Sequence, residues 1–98
     1  MNTFNIFGKI IEEPEKIVTS NGTKMCKLKV SVNKNNTDQE ITHDILDVAL
    51  FRKLAEEEYD VGQYVAINGK LTSNSYKNEN NTYNFINLIA NNIEVISG

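Results

Sequence analysis

The order of its strand-like segments is the feature that most constrains the fold of this 98-residue chain. Three segments rich in β-branched and aromatic residues precede a short stretch of helix formers, and two more follow it. The predicted strands cover 3–11, 25–32, 45–51, 63–71 and 82–90, and the predicted helix covers 53–60. Five strands with one helix between the third and fourth is the order of an OB-fold, a partly open five-stranded Greek-key barrel. We therefore expect one all-β domain over residues 1–98.

Alternation of apolar and polar residues gives the second and third predicted strands an inner and an outer face. The expected inward residues are Cys26, Leu28, Val30 and Val32 on the second strand and Leu46, Val48 and Leu50 on the third. The outer face then carries Lys27 and Lys29 beside Asp47 and Phe51. OB-folds commonly bind ligands on this face and through the loops joining strands one to two and four to five. We expect LTSNSYKNENNTYNF, residues 71–85, to be the loop between strands four and five.

Glycine and asparagine mark the predicted turns. Asn21-Gly22 is the strongest hairpin signal in the chain and indicates a type I′ turn, which requires positive φ at both residues. Gly8 lies inside the first predicted strand, where it indicates a β-bulge or the close approach of another backbone. Residues 33–40, NKNNTDQE, are expected to form a long polar loop.

The net charge of −3 by itself argues against a nucleic-acid partner, but the acidic residues are clustered. Two segments, 12–15 and 56–60, contain seven of the 13 acidic residues. Outside these segments six acidic residues remain against 10 basic ones, a local surplus of four positive charges. A partner responds to the local field, so the net charge does not exclude nucleic-acid binding.

Composition and motif content argue against several functional classes. A hydrophobic content of 40% fits a globular domain, and no apolar run approaches the roughly 20 residues of a membrane span. Cys26 is the only cysteine and no secretion signal follows Met1, so we expect no internal disulfide and a cytoplasmic protein. His43 is the only histidine, and the sequence contains no nucleophile–base pair, metal-ligand set or phosphate-binding glycine loop. We therefore expect no enzyme, no cofactor and no metal.

Four stretches resemble the bacterial single-stranded DNA-binding protein family and together span nearly the whole chain. They are FGKIIEEPE at 7–15, NGTKMCKLKVSVNK at 21–34, LFRKLAEEEYDVGQYVAINGKL at 50–71 and the aromatic hairpin that follows. The most specific part is LFRKLAE, then a helix, then VGQYVAINGKL. The resemblance implies an OB-fold that usually assembles as a homotetramer and wraps single strands without sequence preference. It also implies aromatic rings that stack on bases and Lys or Arg side chains that meet phosphates.

Matched by position, the resemblance implies base-stacking roles for Phe51 and Tyr76. Phe51 matches a stacking phenylalanine on the outer face of the third strand, and Tyr76 matches an aromatic position in the hairpin between strands four and five. The alternative for Phe51 is packing under the following helix. The alternative for Tyr76 is a cross-strand pair with Tyr83 that stabilises the hairpin, and this role is compatible with stacking.

Three features depart from the family pattern. Ile45 and Asn36 stand where many members have tryptophan, so two stacking positions are missing. Asp47 adds a negative charge to the face expected to meet phosphates. These differences predict weaker binding than that of a typical member. Members usually continue into a flexible linker and an acidic tip, whereas this sequence stops at Gly98. That end indicates either a short variant, as plasmids, phages or mobile elements encode, or a trimmed chain.

Five basic residues are candidates for phosphate contacts. They are Lys27, Lys29, Arg52, Lys70 and Lys77. The first two lie on the outer face of the second predicted strand, Arg52 follows Phe51, and the last two flank Tyr76. A solvated face is the alternative for each, because most lysine and arginine side chains are exposed in any protein.

These observations predict a non-enzymatic protein that binds single-stranded DNA without sequence preference in replication, recombination or repair. Counterion release at lysine and arginine and base stacking would supply the binding free energy. Exposed apolar residues such as Ile45 and Tyr64 predict a homo-oligomer, a tetramer or a dimer. The alternative is a primosome-type adaptor of the same fold, which mainly binds replication proteins and binds single-stranded DNA weakly.

Overall fold

The structure is a computed structural model that describes residues 2–33 and 43–97. This part of the chain forms six strands and one helical turn. They are β1 (Thr3–Ile10), β2 (Glu15–Val18), β3 (Lys24–Asn33), β4 (His43–Phe51), α1 (Lys53–Glu56), β5 (Tyr64–Asn78) and β6 (Asn81–Ser97). Asn36 and the predicted polar loop after Asn33 lie outside the described residues.

Five of these strands close into a ring. The sheet order is β1-β5-β6-β4-β3, and β1 closes the ring by pairing with β3 at Lys9 and Ile10. β4 and β6 pair in parallel at Val48 and Leu88, whereas the other described pairings are antiparallel. This arrangement confirms the predicted OB-fold. β2, which is not among the five predicted strands, adds a sixth strand on the outer edge of β3.

The core lies inside the ring and is built from the alternating apolar positions. Its buried residues are Ile10, Cys26, Leu28, Val30, Val48, Leu50, Ala55, Tyr59, Val65, Ile67 and Ala90. The residues predicted to point inward from the second and third strands are all buried except Val32 and Leu46, which are half-buried. Each large aliphatic side chain in this set contributes about 1.5–3 kcal/mol through burial.

Gly8 pairs with Val65 of β5 and lies one residue before the point at which β1 begins to pair with β3. A Cβ atom at this position would lie 2.5 Å from both the Ser31 carbonyl oxygen and Val30 Cγ1. The predicted close approach of another backbone is therefore confirmed. Only glycine leaves room for β1 to reach β3 and close the barrel at this point.

The β2–β3 hairpin contains the predicted Asn21-Gly22 turn, but in a different conformation. The Gly22 N–H donates to the Thr19 carbonyl at 2.9 Å, and the Thr19 N–H donates to the Thr23 carbonyl at 2.9 Å. Gly22 has φ of 85°, whereas Asn21 has no positive φ. The type I′ prediction is therefore wrong. A longer loop joins these strands, and a turn followed by one left-handed glycine closes it.

The helix is shorter than predicted. It begins at Lys53 and ends at Glu56, because Glu57 adopts an extended conformation. Tyr59 is buried beyond the helix, and its hydroxyl donates to the Leu54 carbonyl at 2.9 Å. Burial, with a smaller effect from the Glu57 charge, raises the pKa of Tyr59 to about 12. The chain after the helical turn is thus an extended segment that buries Tyr59, and it does not continue the helix.

The expected loop at 71–85 is a two-stranded ribbon. β5 and β6 pair from Tyr64 to the tip, and only Glu79 and Asn80 lie between the two strands. The predicted hairpin is present, but its strands are longer than expected, because a polar sequence can still form a ladder of main-chain hydrogen bonds. Such a ribbon satisfies its backbone groups without burying either face, so its residues need no apolar alternation.

Candidate nucleic-acid interface

One outer face of the barrel runs from β4 across β6 to β5. Ala49 of β4 pairs with Ile89 of β6, and Ile89 pairs with Lys70 of β5. Phe51 shares this face, since residues two apart along a strand point to the same side. The face continues through Thr72, Asn74 and Tyr76 on β5 and through Tyr83, Phe85 and Asn87 on β6. The structure therefore brings the predicted contacts Phe51, Lys70 and Tyr76 onto one face.

Phe51 is half-buried in a hollow beside the start of α1. Arg52, Lys70 and Ile89 also line this hollow. Phe51 belongs neither to the buried core nor to the side chains packed directly against it. Neither Arg52 nor Lys70 forms an ion pair with another described residue. The hollow thus combines a partly exposed ring with two cations that have no acidic partner in the described chain.

Arg52 has an unusual backbone conformation. Its φ is 58° and its ψ is −120°, in a region that side chains other than glycine rarely adopt. Its N–H donates to the Lys24 carbonyl at 2.9 Å, which fixes the end of β4 against β3. Backbone strain of this kind costs of order 1–3 kcal/mol and is concentrated at functional sites. The turn places an arginine, where glycine would be relaxed, directly beside Phe51.

The ribbon carries three exposed rings on the face of Phe51. Tyr76 and Tyr83 are cross-strand partners whose ring centroids lie 6.2 Å apart with an interplanar angle of 30°. Tyr76 is 56% exposed and Tyr83 is 46% exposed, so pairing leaves much of each ring open. Phe85 lies two residues nearer the barrel and is 55% exposed. Sequence reasoning missed Phe85, although its spacing of two from Tyr83 could have indicated a shared face.

We call this surface the ribbon face. It is defined by Phe51, Arg52, Lys70, Tyr76, Tyr83 and Phe85. Lys77 does not belong to it, because Lys77 pairs with Thr82 and lies on the opposite side of β5 from Tyr76. Lys77 is exposed there, apart from the other candidate contacts.

Lys27 and Lys29 lie in a separate groove on the adjoining outer face of β3 and β4. Lys29 Nζ is 3.8 Å from Glu12 Oε2 and 3.9 Å from Asp47 Oδ1. Lys27 is paired in register with Glu15 of β2. The groove has a volume of about 480 Å³, and Phe85 and Ile86 form its far wall. We call it the acidic groove, defined by Glu12, Glu13, Glu15, Lys27, Lys29 and Asp47.

The second acidic segment, at 56–60, pairs with two other lysines. Lys24 Nζ lies 2.9 Å from Glu56 Oε1, and Lys16 Nζ lies 3.1 Å from Glu58 Oε1. The hydrogen bond from Lys24 is the main cause of the lowered pKa of Glu56. All four side chains are largely exposed, so each pair adds little to stability. These ion pairs give acidic partners to one lysine on β2 and one at the start of β3.

The described residues contain no group of three or more potential metal ligands. Within the same ranges, no helix has the length and apolar character needed to cross a membrane. What the barrel does present is a row of exposed rings beside unpaired cations. An OB barrel with this surface belongs to the class of nucleic-acid-binding barrels.

Comparison with known proteins gives the family. The model of the single-strand binding protein family matches residues 1–96, and the chain belongs to that family. Membership makes it a single-stranded DNA-binding protein and groups it with binding proteins instead of enzymes. The predicted family resemblance is thus confirmed. No curated protein sequence matches the chain.

Three solved structures share the fold. A small single-stranded DNA-binding protein from Streptomyces coelicolor has a TM-score of 0.70 at 19% identity, covering 96% of this chain and 93% of that one. The N-terminal domain of PriB from Thermoanaerobacter tencongensis, described as dimeric, has a TM-score of 0.73 at 24% identity, with 99% and 98% coverage. A deletion mutant of the Thermus aquaticus single-stranded DNA-binding protein has a TM-score of 0.83 at 18% identity. The match covers all of this chain but 51% of that protein.

Proposed function

We propose that the chain binds single-stranded DNA without sequence preference, mainly through the ribbon face. The observation that carries this proposal is the hollow in which Phe51 lies beside Arg52 and Lys70. A base can stack on the open side of the ring while an adjacent phosphate meets the two cations. Tyr76, with the neighbouring rings of the ribbon, extends the same surface away from the barrel.

Stacking and counterion release supply the affinity in this mechanism. Stacking is worth roughly 1–3 kcal/mol per base and tolerates any sequence, because every base has a π-face. Each phosphate contact adds about 0.7 to the slope of log affinity against log salt on a single strand. Lys27, Lys29 and Lys77 lie outside the ribbon face, and this proposal does not depend on phosphate contacts at these three lysines. No chemical step is involved, and no cofactor or metal is required.

A titration with oligo(dT) at two salt concentrations tests this proposal. Binding that is sub-micromolar at low salt and weakens as salt increases would support it. Absence of binding at low salt would overturn it. In this proposal the protein acts in DNA replication, recombination or repair in the cytoplasm. Its gene belongs to a bacterium, plasmid, phage or mobile element. The single buried Cys26 suits a reducing compartment.

Self-association is part of the proposal. Phe7 and Tyr64 stack with ring centroids 5.9 Å apart, and Lys9 Nζ lies 5.9 Å from the Tyr64 ring centroid. Phe7 is 54% exposed, Tyr64 is 40% exposed and Ile45 is 51% exposed. Burial of these side chains against a second copy would favour a homodimer or a homotetramer. Light scattering should give a multiple of 11.1 kDa at micromolar concentration, and a monomer mass would contradict this part.

A primosome-type adaptor is the second candidate function. It is compatible with the likeness to the PriB domain, and the net charge of −3 supports it. In this case the barrel would mainly bind replication proteins, and DNA affinity would be secondary. Failure of the oligo(dT) titration in a protein that is folded and oligomeric would favour the adaptor.

A further inference from the structure

The acidic groove contains two of the five candidate phosphate contacts, yet its charge is unfavourable for DNA. Four carboxylates, from Glu12, Glu13, Glu15 and Asp47, line it together with only two lysines. The hollow at Phe51 has no carboxylate among its described lining residues. We infer that the acidic segment 12–15 and Asp47 determine the path of the DNA strand, keeping phosphates out of this groove and directing them to the ribbon face. This inference rests on the proposed function.

Lys29 is held between two opposed carboxylates. Its Nζ is 3.8 Å from Glu12 and 3.9 Å from Asp47, and its side chain is 38% exposed. A phosphate that approaches Lys29 must displace one carboxylate and remain close to the other. Asp47 lies directly across from Lys29 in the β3–β4 register, so the strand pairing keeps this acid beside the lysine.

The acidic segment is fixed in position by the fold. Glu15 is the first residue of β2 and pairs with Lys27 in register, and Glu12 follows β1 by two residues. Pro14 restricts the backbone between them. A segment anchored at both ends competes with phosphates without paying the cost of a bimolecular encounter. Because four carboxylates and two lysines line the groove, it carries two negative charges in excess.

Removing the negative charges of the acidic segment 12–15 tests this inference. The variant Glu12→Gln/Glu13→Gln/Glu15→Gln should bind oligo(dT) about fivefold more tightly than the parent at about 50 mM salt, because it frees cations for phosphates. Its salt slope should increase by about 0.7 for each new phosphate contact. The matched control is Glu57→Gln/Asp60→Asn/Glu94→Gln, which raises the net charge equally at exposed positions outside the groove that form no ion pair with another described residue.

Lys29→Met identifies where the gained affinity comes from. In the parent protein this substitution should change affinity less than twofold, whereas in the groove variant it should remove most of the gain. Thermal melts of every variant establish that the fold is retained. If the groove variant and the control gain affinity equally, the effect is one of net charge and the inference is overturned.

The two proposals fail in different ways. If the parent binds oligo(dT) and the groove variant binds no better, the proposed function stands and the inference fails. If neither protein binds at low salt, both fail. If only the groove variant binds, the proposed function fails for this chain, and the inference that rests on it fails as well.

Discussion

The ribbon face and the acidic groove lie on adjoining parts of one outer surface, but their charged residues have different neighbours. Lys70 and Arg52 have no acidic partner among the described residues, whereas Lys29 lies within 4 Å of two carboxylates. Both regions carry basic residues predicted to meet phosphates. The number of lysines on a surface is therefore a poor measure of its local charge. The acids that the fold brings beside them matter equally.

Aromatic content separates the two regions as well. The ribbon face has four rings, and the hollow keeps one of them, Phe51, half-buried beside its cations. The acidic groove shares only Phe85, on its far wall. Stacking free energy is therefore available along the ribbon and scarcely available in the groove. We expect substitutions in the ribbon face to alter DNA binding more than equivalent substitutions in the groove.

The largest effect should come from Phe51→Ala. Loss of the ring should weaken oligo(dT) binding by roughly 1–3 kcal/mol per occupied site. Stability should change little, since Phe51 lies outside the buried core. Fluorescence titration and the urea midpoint measure the two quantities. Leu50→Ala is the contrasting control, because this fully buried neighbour should lose about 2–5 kcal/mol of folding free energy. A collapsed midpoint in Phe51→Ala with affinity retained would mean that the ring is structural.

Tyr76→Ala should have a smaller effect, about 1 kcal/mol of binding free energy at the lower end of the stacking range. Part of the Tyr76 ring already packs on Tyr83, so less of it is open to a base. Ile86→Ala is the matched control, because Ile86 is 74% exposed on the other side of the ribbon. Equal affinity losses in the two variants would show that the ribbon contributes through its shape and not through one aromatic face.

Much of this surface could be predicted from the sequence. Alternation correctly placed Phe51, Lys27 and Lys29 outside and Cys26 inside, because a two-residue period is local information. The pairing of Lys29 with Glu12 could not be predicted. It depends on how the chain after β1 folds back beside β3, which no local sequence pattern encodes. The positions of the acids relative to the lysines are a property of tertiary structure.

The ribbon shows the opposite limit of sequence reasoning. Its polar composition predicted a loop, whereas the structure has continuous strands to residue 78. Main-chain hydrogen bonds supply the order, and they leave no apolar pattern in the sequence. The sequence indicated the cross-strand pair of Tyr76 and Tyr83, but the loop prediction left Phe85 unassigned to their face. The two-residue period shows which side chains share a face only once the segment is known to be a strand.

Salt dependence should separate the two groups of lysines. Lys70→Ala should lower the slope of log affinity against log salt by about 0.7, since it removes one phosphate contact. Lys29→Ala should leave the slope nearly unchanged in the parent protein, because its charge is already balanced by Glu12 and Asp47. Both slopes come from oligo(dT) titrations over the same salt series. A larger slope change in Lys29→Ala than in Lys70→Ala would reverse the assignment of the two regions.

The smallest effect should come from Arg52→Gly. Glycine accepts the positive φ of this position, and relief of strain should exceed the entropy cost of glycine by about 0.5–1 kcal/mol. The unfolding midpoint should therefore increase slightly while oligo(dT) affinity falls, because one cation of the hollow is lost. Lys53→Gly is the matched control: it also removes a cation, but at a helical position where glycine destabilises by roughly 1 kcal/mol. A gain in stability at Arg52 with no loss of binding would mean that the strained arginine serves no role at the DNA surface. A gain combined with weaker binding would show that the ribbon face keeps its cation at the expense of folding stability.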